Sequence, residues 1–155
     1  MVQYNENGEL LGLNKNKPVA EMVDSAVIAF LKILAKIHKS YKLDKYRKNP
    51  GLNRRIKNYS VKMGFGLHLG WSIEGAIGST FKIDASYLSP HVNISNKLEE
   101  KTKEYGAQII ISGDLVDYMS DYAKENLRII DKVTFIEGKY MNIYTVDVDL
   151  NSLKI

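Results

Sequence analysis

The 155-residue chain carries 22 Lys plus Arg, 18 Asp plus Glu, three His, no Cys and 45% hydrophobic residues. That length fits one domain able to bury a core unaided, and the apolar fraction excludes a disordered or low-complexity chain. The lack of cysteine excludes disulfides, thiolate nucleophiles and Cys-based zinc sites, and no apolar run is long enough to span a bilayer. The opening Met1 to Asn7 has neither the basic nor the apolar segment of a signal peptide. The expectation is a cytoplasmic chain, or the soluble part of a larger protein, with no membrane segment.

In chain order, residues 1–17 are polar, with a short strand predicted at 2–4. Pro18 suits a first helical turn, and Val19, Met22, Val23, Ala26, Val27, Phe30, Leu31, Leu34 and Ile37 follow at helical spacing, predicting a helix over 18–39. From Lys32 to Lys62 there are eleven basic residues against Asp44 alone, a local +10; the formal total of +4 leaves −6 elsewhere. That stretch reads as a solvated helix end running into a mobile loop. The alternative is an electrostatic footprint for phosphates, nucleic acid or an acidic surface, with Tyr41, Tyr46 and Tyr59 interleaved. Nucleic acid is not favoured, because no binding motif is present. Asn49-Pro50-Gly51 reads as a turn that ends any helix before it.

A strand is predicted over 61–71. Val61, Met63, Phe65, Leu67 and Leu69 share one face; Lys62, Gly64, Gly66, His68 and Gly70 share the other. Three glycines on one face require a close neighbour, most simply a packed helix. A second strand follows at 73–77, then a loop or short strand at 79–89. Ser89-Pro90 reads as a cap and first turn of a helix running to about Tyr105, with Gly106 as its left-handed stop. Then come a buried-type strand at 107–111, a short helix from Ser112 to about Tyr118, and strands at 128–136 and 141–148 joined by a hairpin at Glu137-Gly138-Lys139. The order predicts an α+β sandwich with antiparallel hairpins. His38, His68 and His91 are scattered at no zinc spacing, and His68 reads as filling a packed strand face.

From Lys62 onward the order of motifs resembles the catalytic domain of the class III nucleotidyl cyclases, the adenylate and guanylate cyclases. The matching pieces are Gly66-Leu-His68-Leu-Gly70, Glu74-Gly-Ala-Ile-Gly78, Val92-Asn93-Ile-Ser-Asn-Lys97-Leu-Glu99, Ile109-Ile-Ile-Ser112, Phe135-Ile-Glu137-Gly138-Lys139 and Ile143-Tyr144. No piece is specific alone; their collinear order over about ninety residues carries the resemblance. It implies a ferredoxin-like α/β sandwich and the conversion of ATP or GTP to a cyclic nucleotide plus pyrophosphate, in intracellular signal transduction. Magnesium or manganese is the implied metal. The implied partners are a second copy of the chain or a complementing cyclase domain.

Carried over by position, Asn93 matches the family's ribose-orienting Asn. Lys97, one helical turn on, stands where Arg is usual; it keeps the charge without the bidentate fork. Lys139 matches the triphosphate-binding Lys, and Ser86 the purine-reading position, where a hydroxyl does not separate ATP from GTP. Without the resemblance, Asn93 and Lys97 are ordinary helix-surface residues. The family's metal-binding Phe-x-Asp-Ile strand and Gly-Asp hairpin have no counterpart, and Gly113-Asp114 falls in the wrong place. The expectation is therefore one partial, N-terminally truncated domain over 1–155 with a basic insertion at about 40–60. It would be inactive alone, and dimeric or marginally stable because of the edge left by the missing strand. Competing expectations are a non-catalytic cyclase-like module binding nucleotide or protein, and a phosphate-polymer binder acting through 32–62.

Overall fold

The computed structural model describes residues 17–136, 138–150 and 152. The strand expected at 2–4 lies outside them. Helix α1 (Lys17–Lys39) is followed by a 3-10 turn (Tyr41–Leu43) and two short helices, α2 (Asp44–Arg47) and α3 (Pro50–Arg55). Strand β1 (Phe65–Leu67) leads to a hairpin of β2 (Ile73–Gly78) and β3 (Ile83–Leu88). Then come α4 (Pro90–Tyr105), β4 (Ile109–Ser112), α5 (Gly113–Val116), α6 (Asp121–Glu125), β5 (Leu127–Ile136) and β6 (Lys139–Val146).

Four strands form one mixed sheet in the order β1-β4-β6-β5. β1 runs parallel to β4, with Phe65 opposite Ile109 and Leu67 opposite Ile111; β6 is antiparallel to both β4 and β5. Among the described residues β2 and β3 pair only with each other, Ile73 facing Leu88 and Gly78 facing Ile83.

Alternation along β4 sets the two layers. Ile109 and Ile111 face α1, packing with Val23, Val27, Leu34, Leu67, Leu115 and Met119. Ile110 faces α4, packing with Ile94, Leu98 and Ile143. The glycine face of β1 lies under α4. A Cβ on Gly64 would strike Thr102, one on Gly66 the Ser95 carbonyl and Glu99 amide, and one on Gly70 the His91 ring. The helix therefore sits closer to the sheet than any side chain would allow.

Several local expectations are corrected. Among the described residues the strand predicted over 61–71 is paired only at Phe65–Leu67, because the partner they supply, β4, spans just four residues. Of the two alternatives for 79–89, loop or short strand, the segment takes the strand, drawn out by antiparallel pairing with β2. The loop expected after α1 is helical. The Arg47 guanidinium donates to the Ile37, His38 and Ser40 carbonyls at the end of α1 and pairs with Asp44 at 2.7 Å. Asn49 caps α3 through the Gly51 and Leu52 amides, so Asn-Pro-Gly starts a helix as well as ending one. The helix expected to reach Tyr118 stops at Val116, and Ser120 caps a further one, α6.

Candidate functional site

Asn93 and Lys97 lie on the outer side of α4, whose inner side is held by Ile94 and Leu98. The Ser89 hydroxyl accepts the Val92 amide at 3.1 Å to start the helix, and Gly106, at φ 65°, ends it. The Tyr105 hydroxyl donates to Asp131 at 2.5 Å, tying the far end of α4 to β5. Among the described residues the Asn93 carboxamide has no hydrogen-bond partner, and the Lys97 ammonium pairs with no carboxylate. Its Nζ lies 6.0 Å from the centroid of the Phe135 ring on β5. Lys139 opens β6 just past the same hairpin, its Nζ 3.5 Å from the Asp114 carboxylate. Lys97 thus lies near the end of β5 that leads into the hairpin from which Lys139 emerges. Ser86 belongs to a different element. It sits mid-hairpin on β3, opposite Gly75, three residues before the α4 cap.

The structure also brings together two histidines that the sequence reading kept apart. His68, just past β1, places Nδ1 2.8 Å from the Ser112 hydroxyl and Nε2 2.8 Å from Nδ1 of His91, in the first turn of α4. The two rings stack with centroids 5.1 Å apart, and Trp71 meets His91 edge-on at 6.0 Å. Burial, then the neighbouring His91, pushes His68 down from 6.5 to about 4; Asp114 opposes the shift weakly. His91 is lowered too, by burial and by the Lys139 charge. Both rings are therefore neutral at neutral pH. The available signal was the glycine face of β1: if Gly66 and Gly70 receive a helix, His68 between them must face that helix as well.

Among the described residues no three His, Asp or Glu side chains converge as metal ligands. The Asp114 carboxylate is engaged by Lys139. A separate cavity of about 610 Å³ lies between the end of α1 and the helical arm, lined by Leu34, His38, Arg47 and Lys62 among others, and by none of the candidate residues.

Comparison with known proteins follows the same direction. No family model matches the chain. It is 34% identical over 88 residues to an adenylate cyclase of Anabaena cylindrica, a match covering 56% of this chain and 18% of that one. It is 30% identical over 60 residues to adenylate cyclase 1 of Rhizobium meliloti (39% of this chain, 9% of that one). A terminal-differentiation-specific adenylate cyclase of Dictyostelium discoideum matches at 31% over 90 residues (56% and 4%). This chain thus spans less than a fifth of the length of these relatives. Two solved structures of a bacterial light-regulated adenylyl cyclase superpose with TM-scores of 0.59 and 0.56, both at 22% identity. They cover 83% and 82% of this chain and 34% and 33% of theirs. The fold is similar to part of these adenylyl cyclase structures, and the sequence similarity to adenylate cyclases runs in the same direction.

Proposed function

We propose that this chain is a class III nucleotidyl cyclase domain that handles the ribose and phosphates of ATP or GTP and works with a second protomer. The observation that carries the reading is the placement of Asn93 and Lys97 one turn apart on α4, beside the hairpin that ends in Lys139.

In the reaction the ribose 3′-oxygen attacks the α-phosphorus. The bond to the β-phosphate oxygen breaks, pyrophosphate leaves, and the hydroxyl proton is lost to base or solvent. The Asn93 carboxamide orients the ribose by hydrogen bonding. The Lys97 ammonium offsets charge building on the α-phosphoryl oxygens, as a point charge rather than a fork. Lys139 exchanges Asp114 for the β- and γ-phosphates. Ser86 reads the purine edge from a hairpin whose apolar side chains are largely in water and suit burial against a second copy or a complementing domain. Such a partner also supplies what these residues lack, the carboxylates for magnesium or manganese. A ferredoxin-like sandwich, completed by a further strand beside the edge of β1, belongs to the same reading.

The test is a cyclase assay with manganese and ATP or GTP, with and without an intact cyclase domain. The chain alone is expected to be silent, and the mixture to make cyclic product. Asn93→Ala and Lys97→Ala should each lower that product by about 10²-fold, and Lys97→Arg should raise it. No product in any mixture would rule out the catalytic reading. A second reading, a non-catalytic nucleotide-binding module, is favoured by Lys at position 97; a nucleotide-dependent rise in Tm without turnover would select it.

A further inference from the structure

The surface from the end of α1 through α3 is ordered, strongly positive and unused by the nucleotide reading. Ten of its eleven basic side chains between residues 32 and 62 are exposed; only Arg47 is turned inward, onto the α1 carbonyls. Asp44, the single acid, is consumed by that same arginine. Lys32, Lys36 and Lys39 recur at helical spacing along α1, and Lys42 and Lys45 continue the line through the 3-10 turn into α2. Among the described residues, Lys32, Lys36, Lys42, Lys45 and Lys48 pair with no carboxylate.

Apolar side chains stand out among these charges. Tyr41 is 78% exposed, Ile56 60% and Tyr46 41%, with Lys45 Nζ lying 5.0 Å over the Tyr46 ring. Arg47 secures the arm to α1, and Asn53 holds it further by donating to the Arg47 carbonyl and accepting the Tyr59 amide. The charges are therefore presented on a fixed platform.

From this arrangement we infer that the arm docks on an anionic phospholipid surface. Lysines outnumber arginines eight to three. Point charges on flexible stems suit a fluid layer of headgroups, whereas reading a nucleic-acid backbone or base edge favours the arginine fork. An exposed isoleucine and tyrosines set among lysines match the boundary between headgroups and acyl chains. The −6 carried by the rest of the chain is repelled by the same surface, so the arm is the side that approaches. This inference is independent of the cyclase reading.

The experiment floats the full chain with vesicles of phosphatidylcholine alone, or with about one-third phosphatidylglycerol, at about 50 mM and about 500 mM NaCl. Expected are flotation with anionic vesicles at low salt, its loss at high salt, and none with neutral vesicles. Lys42→Glu/Lys45→Glu/Lys48→Glu should weaken binding at least about tenfold. Tyr41→Ser/Ile56→Ser should weaken it while leaving any retention on DNA unchanged. If circular dichroism shows the charge reversal to unfold the arm, Arg54→Gln/Arg55→Gln/Lys57→Gln carries the same expectation. No flotation at low salt, equal flotation on neutral vesicles, or tighter retention on DNA than on anionic vesicles at matched salt would each overturn the proposal.

Discussion

In the central layer Leu98, Ile110 and Ile143 are wholly buried, whereas in the β2–β3 hairpin Ile73, Ile77, Ile83 and Leu88 lie between 63% and 73% exposed. Phe81, at the hairpin tip, is 99% exposed. Both regions are rich in β-branched and apolar residues, and both form regular ladders. The difference is what covers them. β4 has α1 on one face and α4 on the other, while the hairpin is covered on neither face by the described residues. Strand propensity therefore specifies the ladder, and burial depends on a packing partner. A lone two-stranded hairpin is marginal in water, and exposed apolar area of this kind marks an association surface.

The sharpest way to break the comparison is one substitution made in each region. Ile110→Asp should cost about 4 kcal/mol or more, because it buries a carboxylate between α4 and the sheet, while Ile77→Asp should stay within about 0.5 kcal/mol. Urea denaturation reads both; similar costs would mean that the hairpin is packed. Gly66→Val follows at about 3 kcal/mol, since the added side chain meets the α4 backbone rather than a movable side chain.

A third expectation concerns acid. Native His68 binds its proton near 4 and the unfolded chain near 6.5, so between these values the unfolded state holds more protons. Stability is full above about 6.5 and falls as the pH drops toward 4, with His91 acting in the same direction. After allowance for solvent screening, the loss is about 2 kcal/mol. His68→Gln should flatten that segment of the stability curve; an unchanged slope would separate the pair from acid sensitivity. Ser89→Ala should cost about 1 kcal/mol through the lost α4 cap. The smallest effect on the stability of the separate chain belongs to Ile77→Asp/Phe81→Asp; if the hairpin is an association surface, sedimentation velocity should show any concentration-dependent association of the unaltered chain lost in this variant.

The sequence made the locally coded parts legible. Helical spacing placed α1, Ser89-Pro90 and Gly106 bracketed α4, and Gly138 marked the β5–β6 turn. What it hid depends on distant chain. The length of β1 is set by β4, more than forty residues away, and the helical arm by Arg47 reaching back to α1. Of the candidate residues, Asn93 and Lys97 are legible as a pair through helical spacing. Lys139 and Ser86 stand on strands, where hairpin register rather than helical phase determines position. The His68–His91 contact spans 23 residues and crosses the sheet–helix boundary, so no sequence spacing encodes it.

Ser112 gives that contact a further meaning. Its wholly buried hydroxyl accepts the Leu115 amide, leaving one lone pair and one hydrogen to share with His68. If the hydroxyl donates, His68 passes its own N–H to His91, whose outward Nε2 then carries hydrogen. If the hydroxyl accepts, both imidazoles adopt the opposite tautomer and that outer nitrogen becomes a lone-pair site. The direction of one buried hydrogen bond is thus coupled to which nitrogen of each ring carries its proton; the two arrangements have the same net charge and interconvert only by proton exchange at both imidazoles.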